Sequence, residues 1–201
     1  MPTASPLSRT FPSISTLPFI TKTVADGKKV LFVGTKKQAK DIVKLAAEKT
    51  DQPYVTERWI GGMLTNVSTI TQQLKKLHDL ESRMAGGDLE KRYNKLEVQR
   101  FQEEIDELNE KYSGIKDLSG KPGAVIVLDV LTDANAVREA KTLGVPVVAV
   151  VDSNADPSII DYVIPGNDDA IKGLQLLLDY FVAAVQEGAS AVKTTDLEVE
   201  K

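Results

Sequence analysis

Arg58-Trp59-Ile60-Gly61-Gly62-Met63-Leu64-Thr65-Asn66 divides the chain: before it runs a compact alternation of β and α signals, after it a long helical pattern. It holds the only tryptophan. A bulky aromatic, a cation and two residues free to take positive φ make a bend that can dock on something. Trp59 is expected to be half buried, with Gly61 and Gly62 supplying backbone freedom at the junction.

Upstream, Val30-Leu31-Phe32-Val33 is a short continuous apolar run ending in Gly34-Thr35, the pattern of a strand buried on both faces. A helix follows, with Ala39, Ile42, Val43, Ala46 and Ala47 at helical spacing and Lys36, Lys37, Lys40 and Lys44 on the other side. Tyr54-Val55 reads as a second strand.

Downstream of Asn66 the periodicity changes to heptads. Ile70, Leu74, Leu77 and Met84 form one seam with Glu81 in it, and Val98, Phe101, Ile105, Leu108 and Tyr112 form another. Gly86-Gly87-Asp88 stops the first helix and offers an N-cap for the next. The economical prediction is an antiparallel coiled-coil hairpin over residues 67–112, inserted in the α/β body.

The β/α alternation then resumes. Ala124-Val125-Ile126-Val127-Leu128 predicts a strand, residues 134–143 a helix closed by Gly144, and Val147-Val148-Ala149-Val150-Val151 another buried strand. Tyr162-Val163-Ile164 is a last strand, followed by an amphipathic helix over residues 168–186 through Ile171, Leu174, Leu178, Phe181 and Val185. The fold class is therefore α/β: about five parallel strands in a flavodoxin-like sheet flanked by helices. The body spans residues 28–66 and 113–188. Residues 1–27 form a disordered or atypical arm, since residues 1–25 are rich in Ser, Thr and Pro and contain no acid before Asp26. That composition also fits, more weakly, an organellar transit peptide. The polar tail, residues 189–201, is expected to be loose.

Composition narrows the function. No cysteine appears among the 201 residues, which excludes disulfides, thiolate metal sites and cysteine nucleophiles. A net charge of −4 means that any nucleic-acid contact must depend on local patches. No apolar run approaches the roughly 18 residues of a membrane span. The sole histidine, His78, falls on the flank of the first heptad helix, where it completes neither a catalytic triad nor a His-rich zinc site.

Ligands of such sheets sit at the carboxyl ends of the strands, where Gly34, Thr35, Asp129, Asp152 and Ser153 gather. Gly34-Thr35-Lys36-Lys37 is either a tight strand-to-helix turn with solvated lysines or a phosphate-binding turn. The second option would make the protein a phosphate-ligand-binding α/β enzyme using Gly34, Thr35 and Asp152. Asp152, Asp168 and Asp169 also fall at this edge. Three carboxylates there either cap local turns or hold a hard divalent cation, magnesium or zinc.

The stretches Arg58 to Asn66 (RWIGGMLTN), Ile115-Lys116-Asp117, Val151-Asp152-Ser153-Asn154 with Asp156-Pro157, and Ile164-Pro165-Gly166-Asn167-Asp168-Asp169-Ala170 resemble, in order and spacing, the bacterial form of the universal small-subunit ribosomal protein two. The resemblance covers residues 28–188. It implies a structural protein of the small ribosomal subunit, non-catalytic and requiring no cofactor. It would bind 16S-type ribosomal RNA and neighbouring ribosomal proteins, and support docking of small-subunit protein one. A cytoplasmic ribosome is the implied location, ahead of an organellar one, with no membrane partner. By position, Arg58, Trp59, Gly61, Gly62, Thr65 and Asn66 match the family's most recognisable motif. Asp152, Asp168 and Asp169 match acidic positions that can hold a divalent cation in related proteins. Lys28, Lys29, Lys36, Lys37, Lys40 and Lys44, with Arg58, are the expected phosphate contacts. Family members begin with a His-Phe-Gly-His segment carrying several cations, and nothing of that kind precedes Lys28. Either the chain has diverged there or its start is artificial, and the metal and the protein-one docking are the implications most affected.

Overall fold

A computed structural model describes residues 15–118 and 120–199. Strands β1 (Val30–Val33), β2 (Tyr54–Val55), β3 (Ala124–Val127), β4 (Val147–Val151) and β5 (Tyr162–Pro165) form one sheet in the order β2-β1-β3-β4-β5. Every pairing is parallel, with Val30 opposite Ala124, Val125 opposite Val147 and Val148 opposite Tyr162. This is the flavodoxin-like arrangement expected. The central strands are apolar at every position because both faces are covered, as a parallel sheet requires.

Side chains alternate between two cores. Val30, Phe32, Ala124, Ile126, Val148 and Val150 face a cluster shared with helices α1 (Thr16–Ala25), α2 (Lys40–Thr50) and α7 (Ile171–Val199). Leu31, Val33, Val125, Val127, Val147 and Ala149 face the other, shared with α6 (Ala134–Thr142). The same cluster takes in Trp59, Met63 and Leu64, then Ile70, Leu77 and Leu80 of α3 (Val67–Ala85) and Ile105, Leu108 and Tyr112 of α5 (Lys95–Tyr112). A short helix, α4 (Asp88–Arg92), lies between α3 and α5 in sequence. Their core is thus continuous with that of the sheet.

Three expectations are corrected. Part of the supposed disordered arm is helix α1: Ile20 is fully buried, Thr21 Oγ1 donates to the Ala184 carbonyl at 3.1 Å, and Phe19 stacks on Tyr162. The first fourteen residues lie outside the described ones. The tail is no loose segment, since α7 continues to Val199; residues 200 and 201 lie outside the described ones. In the first heptad seam, Leu80 is buried whereas Leu74 and Met84 are only partly so.

Candidate nucleic-acid interface

The RWIGGMLTN stretch is folded around a carboxylate that it does not contain. Glu139 on α6 accepts from Trp59 Nε1 at 3.1 Å and the Gly62 amide at 2.7 Å through one oxygen. Its other oxygen accepts from the Leu64 amide at 3.0 Å, and from the Thr65 amide and hydroxyl, both at 3.2 Å. Burial works to raise the Glu139 pKa, but the donors outweigh it and hold the carboxyl below the usual range. Gly62 sits at φ +88°, a left-handed turn that lets the chain double back over the carboxylate. Gly61 is exposed, and a Cβ there would meet nothing.

Trp59 is more deeply buried than expected, at 7% exposure, with Met63 and Leu64 buried beside it. Arg58, Gly61 and Thr65 remain exposed. Asn66 ends the loop by capping α3, its side-chain oxygen accepting from the Thr69 amide. The loop therefore ties α6 to the start of α3 through Glu139 on one side and Asn66 on the other. Nothing in the sequence marked Glu139 for this task except its place beside Ala140 in a helix whose buried face is otherwise small and apolar.

The expected phosphate contacts divide into two sets. Lys36 reaches into the crevice and pairs with Asp169 at 2.7 Å, Asp168 at 3.0 Å and Asp129 at 3.4 Å. These carboxylates, the Asp169 hydrogen bond foremost, push the Lys36 pKa up. Lys29 pairs with Asp51 at 2.8 Å, and Lys40 pairs with Glu57. By contrast Lys28, Lys37, Lys44 and Arg58 are exposed and make no ion pair among the described residues. A groove of about 240 Å³ is lined by Lys40, Lys44 and Glu57, so the α2 lysines and the residue preceding Arg58 share one edge.

The acidic site takes a different form from the one expected. Among the described residues no group of three or more His, Asp or Glu side chains is placed to hold a metal ion. Where magnesium or zinc was expected near Asp152, Asp168 and Asp169, the Lys36 ammonium neutralises Asp168 and Asp169 instead. Asp152 accepts from the Ser153 amide at 2.5 Å, which with the Asp168 amide holds its pKa down. Asp169 donates its own amide to Asn167 Oδ1 at 2.7 Å ahead of α7. Asp152 thus caps a local turn, as the plainer alternative has it, whereas Asp168 and Asp169 pair with Lys36.

The phosphate-binding turn is filled in the same way. Thr35 donates its hydroxyl to Asp133 at 2.8 Å and its amide at 3.2 Å, so a carboxylate already occupies the donors a phosphate would need. A Cβ at Gly34 would lie 2.8 Å from Val43, which makes this glycine a packing requirement of α2 against β1. Asp129 accepts from Leu131 and Thr132, and His78 is an exposed residue of α3.

The family model for Ribosomal protein S2 matches residues 7–188, reaching well before Lys28 and taking in α1. The protein named small ribosomal subunit protein uS2 from Roseiflexus sp. (strain RS-1) is 45% identical over 181 residues, 90% of this chain and 69% of the relative. Its namesake from Fusobacterium nucleatum is 42% identical over 180 residues, 90% of this chain and 73% of the relative. That from Thermus thermophilus is 44% identical over 177 residues, 88% of this chain and 69% of the relative. A match of this extent settles the family: the chain belongs to the ribosomal protein S2 family, whose members are structural proteins of the small ribosomal subunit and not enzymes.

Proposed function

We propose that this protein is held in the small subunit by phosphate contacts to 16S-type ribosomal RNA from the edge formed by the start of α2 and the loop after β2. The observation that carries this is the division of the cations. In a chain of net charge −4, Lys37, Lys44 and Arg58 stay exposed without a carboxylate partner among the described residues, while Lys29, Lys36 and Lys40 serve the fold. Lys28 is a further exposed cation at the opposite ends of the strands. Contacts of this kind position a protein on RNA without reading its sequence. The α3–α5 region is the surface that braces neighbouring ribosomal proteins. Family membership also supports a part in docking small-subunit protein one, with the exposed Asp156 and Asp169 loops as the meeting surface. In a bacterial cell this places the protein on cytoplasmic ribosomes.

The test is sedimentation of small subunits at increasing salt. At low salt the protein travels with the subunit; with rising salt it leaves. Three phosphate contacts give a slope of about −2 to −3 in log affinity against log salt. A protein absent from the subunit fraction at low salt overturns the proposal.

A further inference from the structure

Arg58 is the exposed cation whose backbone is fixed on both sides. On one side Glu57 pairs with Lys40 of α2. On the other, the Trp59 indole donates to Glu139 of α6, which also gathers the Gly62, Leu64 and Thr65 amides and the Thr65 hydroxyl. The two anchors are unequal: the Lys40–Glu57 pair is about one-third exposed on each side, where an ion pair contributes little. Glu139 takes five charge-assisted bonds from a loop anchored by the buried Trp59, Met63 and Leu64, and such bonds are the strong kind. With five donors on two oxygens, Glu139 has no capacity left for a ligand of its own. Its effect must pass through the residues it holds.

We infer that Glu139 is a positioning residue for RNA binding: by clamping residues 59–65 it presents Arg58 as a preorganised contact for a phosphodiester. This rests on the proposed phosphate contact of Arg58 and adds the residue that enforces it. A loop held before binding does not have to be ordered during it, so the clamp lowers the cost of each encounter. The geometry makes the charge essential. Glutamine at 139 would keep the shape but offer one carbonyl oxygen and an NH2 group to five donors, so one oxygen's set of partners would face hydrogens.

The experiment uses the full chain and a transcript of small-subunit ribosomal RNA, with affinity measured across a salt series for wild type, Arg58→Ala, Glu139→Gln and the double variant. Amide hydrogen exchange of Gly62, Leu64 and Thr65 is read in the free proteins. Arg58→Ala should lower the salt slope by about 0.7 to 0.9, one contact's worth. Glu139→Gln should speed exchange at the three amides and weaken binding at every salt concentration while leaving the slope at the wild-type value, because the contact is still made once the loop has been ordered, and the double variant should bind no worse than Arg58→Ala alone. If Glu139→Gln does not fold, Thr65→Val, which deletes a single donor, carries the same readouts at smaller amplitude. Unchanged amide protection, wild-type affinity in Glu139→Gln, or additive losses in the double variant overturn the inference while leaving RNA binding standing. A wild-type chain that does not bind the transcript overturns the proposed function, and the inference with it.

Discussion

Asp133 shows what burial does to a single acid in this fold. At 1% exposure, beside Asp129, its carboxyl is pushed up to about 6, burial being the main cause and the two Thr35 hydrogen bonds opposing it. Asp129, with Lys36 beyond it, is the charged group facing it. The folded pKa lies above the ordinary 3.8, so the folded state binds this proton more tightly than the unfolded chain does. Stability linked to it is therefore full below about pH 4 and lost as pH rises to 6, a cost of about 3 kcal/mol that stays constant above. Asp133→Asn cannot titrate. Its stability relative to wild type should rise by about 2–3 kcal/mol between pH 4 and pH 7, measured by urea unfolding at both. Comparing variant with wild type cancels the acids with lowered pKa values, such as Glu139 and Asp161, whose contributions fall away in acid. An equal offset at both pH values would show that Asp133 ionises normally. Residues like these were the least legible in the sequence. Thr35 and Asp129 were assigned to the correct crevice, whereas Lys36 was read as an RNA phosphate contact, and Asp133 and Glu139 were missed. Three of the five donors to Glu139 are backbone amides, which no amino-acid letter encodes.

At the scale of the element, strands announced themselves and helix limits did not. Runs such as Val147–Val151 are apolar at every position because a parallel strand is buried on both faces, and that is visible in any single sequence. Helix α1 was hidden because Thr16, Thr21 and Thr23 count as polar in a composition, although Thr21 and Thr23 satisfy their hydroxyls on backbone carbonyls and let the helix bury. The end of α7 was misplaced for a related reason. The helix was expected to end at residue 186, yet Gly188 lies inside α7, where its missing Cβ makes room for α1: a Cβ there would lie 2.4 Å from the Thr21 carbonyl oxygen and 2.9 Å from Val24 Cβ. These two readings predict opposite signs for Gly188→Ala. As a solvent-facing helix residue, alanine would stabilise by up to about 1 kcal/mol. As the seat of α1, it should destabilise by about 1–3 kcal/mol, because the nearest atom is backbone and cannot swing aside. Thermal unfolding decides between them, and a raised midpoint would refute the close approach of α1 and α7.

At the scale of the whole molecule, the question is whether residues 67–112 fold with the sheet or apart from it. Heptad periodicity suggested a hairpin leaving the body, and a projecting hairpin would unfold on its own. The packing argues otherwise. Ile70, Leu77, Leu80, Ile105, Leu108 and Tyr112 belong to the same continuous cluster as Leu31, Val125 and Val147 in the sheet. Glu139 and Asn66 then tie the sheet side to the first turn of α3. Chains longer than about 150 residues often unfold through intermediates, so cooperativity here would be informative. Trp59, the only tryptophan, sits at the junction and reports on it. Far-UV circular dichroism reports mainly on helices, to which α3 and α5 contribute 19 and 18 residues. If the core is continuous, the two signals should lose their native values at the same urea midpoint with the same slope. An early loss of helical signal while Trp59 fluorescence stays native would mean that α3 and α5 form a separate unit. In Glu139→Gln the midpoints should separate, with the Trp59 transition moving to lower urea, because the loop then loses the one carboxylate that ties it to α6.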